Sequence, residues 1–268
     1  MISFANAKIN IGLLITAKRE DGYHNIETIF YPVQLYDVIE TRVSEAFSFT
    51  AHGLPIPEGG INLCEKAFAL LQKDFDIEPV SIDLIKNIPI GAGLGGGSAD
   101  AAFVLKALNE LFSLQLSSTE LEAYAARLGA DCAFFIENKP VFAAGIGTEF
   151  EEINLDLSTY YIVLVNPGIH ISTQEAYSNV HPQTPTMDLK RAIQLPIQEW
   201  KYRIVNDFEL GIFQKYPSIE KLKNAFYEKG ALYAAMSGSG STVFGIFEDK
   251  VNLDDLKTFG HVYYPVAL

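Results

Sequence analysis

Cysteine is scarce: Cys64 and Cys132 are the only two in 268 residues, too few for a disulfide framework, and a reducing, cytoplasmic location is the default expectation. Positive charge is also short. Twenty Lys and Arg face 33 Asp and Glu, a formal net charge of −13, which excludes general nucleic-acid binding. An anionic small substrate can be accommodated only if backbone dipoles, a metal ion and a few lysines meet its charge locally. No apolar run reaches membrane length, and Lys8 and Asn10 interrupt the N-terminal stretch too early for a signal peptide. Internal repeats are absent. What is present is an ordinary globular composition, 49% hydrophobic and 20% charged, sufficient for one large or two modest domains around a real core.

The chain is organised around Ile88-Pro-Ile-Gly-Ala-Gly-Leu-Gly-Gly-Gly-Ser-Ala-Asp-Ala-Ala102. An alternating segment, Val80 to Lys86, predicts a strand before it, with Ile82, Leu84 and Lys86 on one side. Apolar residues at helical spacing predict a helix from about Ser98 to Phe112 after it. Five glycines in the seven residues Gly91 to Gly97 let the backbone curl tightly and turn its N–H groups outward. The following helix aims its first N–H groups and its positive dipole end at the same place, so the expected guest is a phosphate. Two familiar loops overlay the stretch and fail. Gly91-Ala-Gly-Leu-Gly-Gly96 matches a dinucleotide fingerprint, but no strand ending in an acid follows: Ser117-Ser-Thr-Glu120 reads as a capping box opening another helix. As a P-loop the stretch puts Gly97 where the lysine belongs, so the cation must come from elsewhere.

Several other residues carry two readings each. Lys8 and Asn10 share one side of an early strand; a lysine there is either an edge or snorkelling residue or a functional cation. Asp21-Gly22 signals a hairpin turn before Tyr23-His24, which either pack on the surface or meet a flat heterocycle. Strands are expected at 2–5, 9–16 and from Ile26 to about Thr41, with a short strand and a Pro-Gly loop between Phe47 and Gly60. Asn62 is placed to cap a helix running to about Asp74. A helix opened by Ser117 runs to about Leu128, with Gly129 as its C-cap. Asp131, a lone acid among small and apolar residues, is either a cap or a functional carboxylate. Cys132 reads as a small buried hydrophobe. Strands at Val141–Ala144 and Thr148–Ile153 lead to a second domain from about Leu155, with strands at Tyr160–Asn166, Ala231–Ala235 and Val243–Phe247. Ser172 or Thr173 caps a helix carrying Tyr177. Residues 181–198 read as a variable loop, Trp200–Leu210 and Pro217–Lys229 as helices, and the tail from Leu253 as a short helix and a last strand. Met236-Ser-Gly-Ser-Gly-Ser-Thr242 is either a hairpin turn or a second small-residue loop.

Taken together, Pro89–Ala102, the Ser-Gly-Ser-Gly loop and the Asn206-Asp-Phe-Glu209 segment resemble the GHMP kinases, the group of galactose, homoserine, mevalonate and phosphomevalonate kinases. Ala7-Lys-Ile-Asn10, Arg19-Glu-Asp-Gly-Tyr-His24 and Glu27-Thr28 are similar to a member whose substrate carries a cytidine diphosphate. The resemblance implies an α+β, two-domain fold: an N-terminal ATP-binding domain, 1–154, and a C-terminal substrate domain, 155–268. It implies phosphorylation of the 2-hydroxyl of 4-diphosphocytidyl-2-C-methyl-D-erythritol by ATP with Mg²⁺, in the non-mevalonate route to isoprenoid precursors, by a monomer or homodimer. Carried over residue by residue, Lys8 and Asp131 become catalytic. Asn62 and the loop Pro89, Ile90, Gly91, Ala92, Gly93, Leu94, Gly95, Gly96, Gly97 and Ser98 hold ATP, and Ser98 is the metal ligand. Asn10, Tyr23, His24, Thr173 and Tyr177 contact the substrate, Tyr177 standing where the family has phenylalanine.

Overall fold

The protein is described by a computed structural model covering residues 1–57, 59–178, 180, 182–183, 185 and 188–265. In chain order its elements are β1 Ile2–Lys18, β2 His24–Val43, β3 Ser48–Gly53, α1 Leu63–Asp74, β4 Val80–Lys86, α2 Gly96–Leu111, α3 Ser118–Ala126, α4 Phe134–Glu137, β5 Val141–Ala144 and β6 Glu149–Glu152. There follow β7 Tyr161–Asn166, α5 Thr173–Ser178, α6 Leu189–Ala192, α7 Ile197–Trp200, α8 Phe208–Lys215, α9 Pro217–Glu228, β8 Tyr233–Met236, β9 Val243–Phe247, a 3-10 turn Asp254–Thr258 and β10 His261–Tyr263. Among the described residues no helix is long and apolar enough to cross a membrane.

Two compact units interleave along the chain. The first comprises residues 1–7, 36–90 and 95–139; the second comprises 8–35, 91–94 and 140–268. In the first unit β3 runs parallel to β4, and β4 runs antiparallel to the second half of β2, from Val38 opposite Ile85 to Val43 opposite Val80. The alternation read from sequence holds: Val80, Ile82, Leu84 and Lys86 are buried, whereas Ser81 and Asp83 are only half-buried. Helices α1 and α2 pack together; the capping box expected at Ser117 with Glu120 forms, and the expected cap Asn62 is joined by Glu65 in a second box that the sequence reading did not include.

In the second unit the first half of β2 pairs with β5 and β5 with β6, both antiparallel. A separate antiparallel sheet has the order β10-β7-β9-β8. Its apolar side, including Val163, Val165, Met236, Val243 and Phe247, packs with Phe208 and Ile212 of α8 and Ile219, Leu222 and Phe226 of α9. Spaced three or four apart, Ile219, Leu222 and Phe226 form the buried stripe of an amphipathic helix. Gly245 of β9 lies under Phe226; a Cβ there would come within 2.4 Å of its ring.

Some boundaries differ from the sequence reading. The two early strands are one, β1, with Gly12 at φ +69° inside it. Helix α2 begins two residues earlier than expected, because Gly95 in the left-handed region starts it. Gly129 is not a left-handed cap; α3 ends at Arg127, which stays right-handed. The expected loop 181–198 contains α6, capped by Asp188, and the start of α7; positions 181, 184, 186 and 187 lie outside the described residues. Trp200–Leu210 is not one helix. The chain leaves α7 at Trp200, and α8 starts only at Phe208, whose N–H donates to the Asn206 side chain at 3.0 Å.

Candidate active site

The glycine loop is built as an anion cradle requires. Gly91, Gly93 and Gly95 have φ of +67°, +82° and +69°, values that β-carbon-bearing residues seldom adopt. No side chain caps the N-terminus of α2, and its first turn holds no acid. Gly97 is open on its outer side; the nearest atom to a Cβ there would be a Leu63 methyl at 3.9 Å. Pro89, Ile90 and Ser98 flank the loop, half-buried or exposed, whereas Ala92 and Leu94 point into the core.

The Ser-Gly-Ser-Gly loop does more than turn the chain. Ser237 Oγ donates to Gly93 O at 2.8 Å, and Thr242 N–H donates to Ala92 O at 3.4 Å. The two loops approach so closely that a Cβ on Gly93 would lie 1.8 Å from Ser237 O, and one on Gly240 2.1 Å from Gly93 N. Gly93→Ala is therefore expected to destabilise the fold by about 2–4 kcal/mol, combining an unfavourable φ with a backbone clash. Urea denaturation beside Gly97→Ala, where space exists, checks this.

Lys8 is buried rather than snorkelling. Its ammonium donates to Asn10 Oδ1 at 2.6 Å and stands 4.7 Å from the centroid of the Phe30 ring. Asn10 is fixed in turn, Nδ2 donating to Thr28 Oγ1 at 3.0 Å and its N–H to Ser237 Oγ at 3.1 Å. The Thr28 hydroxyl donates onward to Gly12 O. The early lysine and asparagine, two apart on β1, thus converge as their spacing predicted.

Asp131 lies half-buried in the turn that precedes α4. Beside it in sequence, Cys132 is buried, and its sulfur shares a hydrogen bond with the Ser98 hydroxyl. Burial pushes the Cys132 thiol up to about 11; the Asp131 charge adds to this and the Ser98 bond opposes it. The thiolate is thus scarce at neutral pH. In the folded protein Cys132 is expected to resist iodoacetamide at pH 8 for hours, as read by mass spectrometry, and to react on unfolding.

At the hairpin, Asp21 accepts from Tyr23 N–H at 3.0 Å and from Arg19 Nε, and this holds Tyr23 exposed at the tip. His24 stacks on Tyr177, ring centroids 4.7 Å apart and planes 19° apart. Tyr177 in turn meets Phe208 edge-on. Of the three residues expected around a cytosine, His24 and Tyr177 are in direct contact, whereas Tyr23 is exposed at the hairpin tip. Thr173 opens α5 on the surface, and Ser172 is the residue that caps the turn, accepting from Glu175 N–H at 3.1 Å. Asn62 acts as an N-cap, its Oδ1 accepting from Cys64 N–H at 2.9 Å.

Sequence reasoning missed a buried charge cluster behind the glycine loop. Lys86 donates to Asp37 and, at 2.8 Å, to Asp100 of α2. Asp37 Oδ1 also accepts the N–H groups of Asn87 and Ile88, where β4 leads into the loop, while Asp100 Oδ1 has no donor. Burial, and the Asp37 carboxylate beside it, push Asp100 up to about 7 against the pull of Lys86. Burial alone would lower the Lys86 ammonium, but Asp100 and Asp37 outweigh it and raise it. The available signal was Lys86 itself, a lysine on the inward side of an otherwise apolar strand.

A divalent cation has few protein ligands to draw on. Among the described residues no three His, Cys, Asp or Glu side chains gather as a metal cage. The Ser98 hydroxyl at the head of α2 suits a magnesium ion held chiefly by phosphate oxygens and water.

Comparison with known proteins bears on the same elements. The model of the GHMP kinases N terminal domain matches residues 62–139, and that of the GHMP kinases C terminal domain matches residues 196–259. The chain is 52% identical over 265 residues to 4-diphosphocytidyl-2-C-methyl-D-erythritol kinase of Parabacteroides distasonis, covering 98% of this chain and 97% of that one. It is 53% identical over 264 residues to the protein of that name in Bacteroides fragilis, covering 96% of each. A crystal structure of 4-(cytidine 5'-diphospho)-2C-methyl-D-erythritol kinase superposes with a TM-score of 0.86 at 31% identity, over 99% of this chain and 98% of that one. The chain belongs to the GHMP kinases, in the family of the 4-diphosphocytidyl-2-C-methyl-D-erythritol kinases.

Proposed function

We propose that this enzyme transfers the γ-phosphoryl group of ATP to the 2-hydroxyl of 4-diphosphocytidyl-2-C-methyl-D-erythritol, in the non-mevalonate synthesis of isoprenoid precursors. The observation that carries the reading is the uncapped N-terminus of α2, which the chain enters through three left-handed glycines, Gly91, Gly93 and Gly95. Phosphoryl transfer asks a protein chiefly for held phosphates, matched charge and an oriented nucleophile. In this reading residues 1–154 form the nucleotide-binding domain and 155–268 the C-terminal domain.

Residues Pro89 to Ser98 cradle the β- and γ-phosphates by backbone N–H groups and helix dipole. Asn62 lies at the adenine side. Bound Mg²⁺, for which Ser98 is the candidate protein ligand, neutralises phosphate charge. Asp131 accepts the proton of the attacking hydroxyl. Lys8, oriented by Asn10, stabilises the charge that develops on the transferring group and supplies the cation that Gly97 does not. Tyr23 and Tyr177 stack on the cytosine, His24 hydrogen-bonds to it, and Thr173 contacts the same substrate. An assay of ADP release with ATP and Mg²⁺ tests the assignment. Turnover is expected with 4-diphosphocytidyl-2-C-methyl-D-erythritol and none with mevalonate or homoserine; turnover with either of the latter would overturn the substrate assignment.

A further inference from the structure

The Asn206–Glu209 segment has no part in the steps above, yet its side chains are among the most fully engaged in the second unit. Asn206 is 3% exposed. Its Nδ2 donates to Met236 O at 3.0 Å and to Gly238 O at 2.9 Å, and its Oδ1 accepts from Phe208 N–H. Both amide hydrogens therefore go to the two carbonyls on either side of Ser237. Glu209, buried and paired with Lys223, accepts Met236 N–H at 2.9 Å. The same segment grips β1. Leu13 N–H donates to Val205 O, Asp207 N–H donates to Leu13 O, and Ile15 N–H donates to the Asp207 carboxylate at 2.7 Å.

Between those two grips lies a short path to Lys8. Ser237 Oγ accepts Asn10 N–H while donating to Gly93 O. Gly238, at φ +57°, abuts Asn10; a Cβ there would sit 3.0 Å from Asn10 Oδ1. That oxygen is the one that holds the Lys8 ammonium. We infer that Asn206 is a positioning residue for the reaction: by fixing the carbonyls of residues 236 and 238 it sets the Ser237 loop, which sets Asn10 and so the place of the Lys8 ammonium. The inference rests on the role assigned to Lys8 above. It explains why an amide stands here. Two carbonyl oxygens require two hydrogens, and an aspartate of the same shape would present lone pairs to both.

The test is a double-mutant cycle on the full-length enzyme with Asn206→Asp and Lys8→Ala. Nucleotide sites are counted by titration with a non-hydrolysable ATP analogue, and slow turnover is followed with radiolabelled ATP at high enzyme concentration. Asn206→Asp is expected to keep one nucleotide site per chain, with affinity within about 2-fold, and to lose about 30-fold in kcat, the equivalent of about 2 kcal/mol, as expected for the loss of paired buried hydrogen bonds. The double variant is expected to be no slower than Lys8→Ala by more than about 2-fold, because residues acting as one unit are non-additive. Losses that multiply, or turnover that falls only in proportion to lost nucleotide sites, would overturn the inference. Should Asn206→Asp not fold, Ser237→Ala takes its place in the same cycle: non-additive losses with Lys8→Ala support the inference, and losses that multiply overturn it. Wild-type turnover in Lys8→Ala alone would instead remove the Lys8 assignment, a result visible before any double variant is made.

Discussion

Asp131→Asn is expected to lower kcat by about 10²- to 10⁴-fold while nucleotide affinity stays within a few-fold. The amide matches the carboxylate in shape and can still hydrogen-bond to a hydroxyl, but it cannot accept the proton that leaves as the phosphorus–oxygen bond forms. The loss is thus confined to the chemical step. Lys8→Ala is expected to lose about 10²- to 10³-fold in kcat, again with little change in nucleotide affinity, since the ammonium acts on charge that appears during transfer. It sits buried against Asn10 and Phe30, and little water is there to replace it. Measuring kcat, KM for both substrates and ATP-analogue affinity separates these outcomes. Equal losses in turnover and nucleotide affinity would mean that the two residues bind ATP instead.

The second large effect concerns stability. Lys86→Met leaves Asp37 and Asp100 buried together without their cation, and breaking a buried ion pair from one side costs about 3–5 kcal/mol. For a chain of this size that corresponds to a fall in Tm on the order of 10 °C, readable by scanning calorimetry. The pH dependence of the intact protein has a definite sign. The ordinary Asp value is 3.8, and in the fold Asp100 is pushed up to about 7. Between those values the folded chain keeps a proton that the unfolded chain has released. This stabilisation is complete below about pH 4 and is lost as the pH rises through 7. A protonated Asp100 can also hydrogen-bond to Asp37, leaving one lysine against one carboxylate. Asp100→Asn keeps the shape and discards the titration. It is expected to abolish this downward slope in stability between about pH 4 and pH 7 and to be the more stable form above that range.

Much of this architecture was legible in the residues. Ile82 and Leu84 alternate with Ser81 and Asp83, which placed β4 at its observed bounds, and Asn62 marked the start of α1. The glycine run announced its left-handed turns because few other residues tolerate them. Where the reading slipped, contacts distant in sequence decided. Ser172 and Thr173 could both cap α5, and only the bond from Glu175 chose between them. Residues 201–207 carry helical character, but Asp207 is drawn to the backbone of Ile15, 192 residues away, and α8 waits until Phe208. Lys86 stood in plain view on the inner side of β4, but the two aspartates that explain it lie 49 positions before it and 14 after it in the chain. Pattern along a strand shows that a charge is buried; it does not show what neutralises it.

The interleaving of the two compact units limits how such an enzyme can be rearranged. The second unit needs residues 8–35 and 91–94 as well as everything from 140 onward, and the first needs residues 1–7 from the other end of that strand. No single crossover in the gene can therefore swap one unit for a homologous one and leave the other whole. A recombinant joined near the middle of the sequence inherits strand segments from one parent and their partners from the other, so its success depends on how well foreign residues match along β1 and β2. New specificity in this lineage is accordingly expected to come from point changes around a retained backbone rather than from exchange of modules.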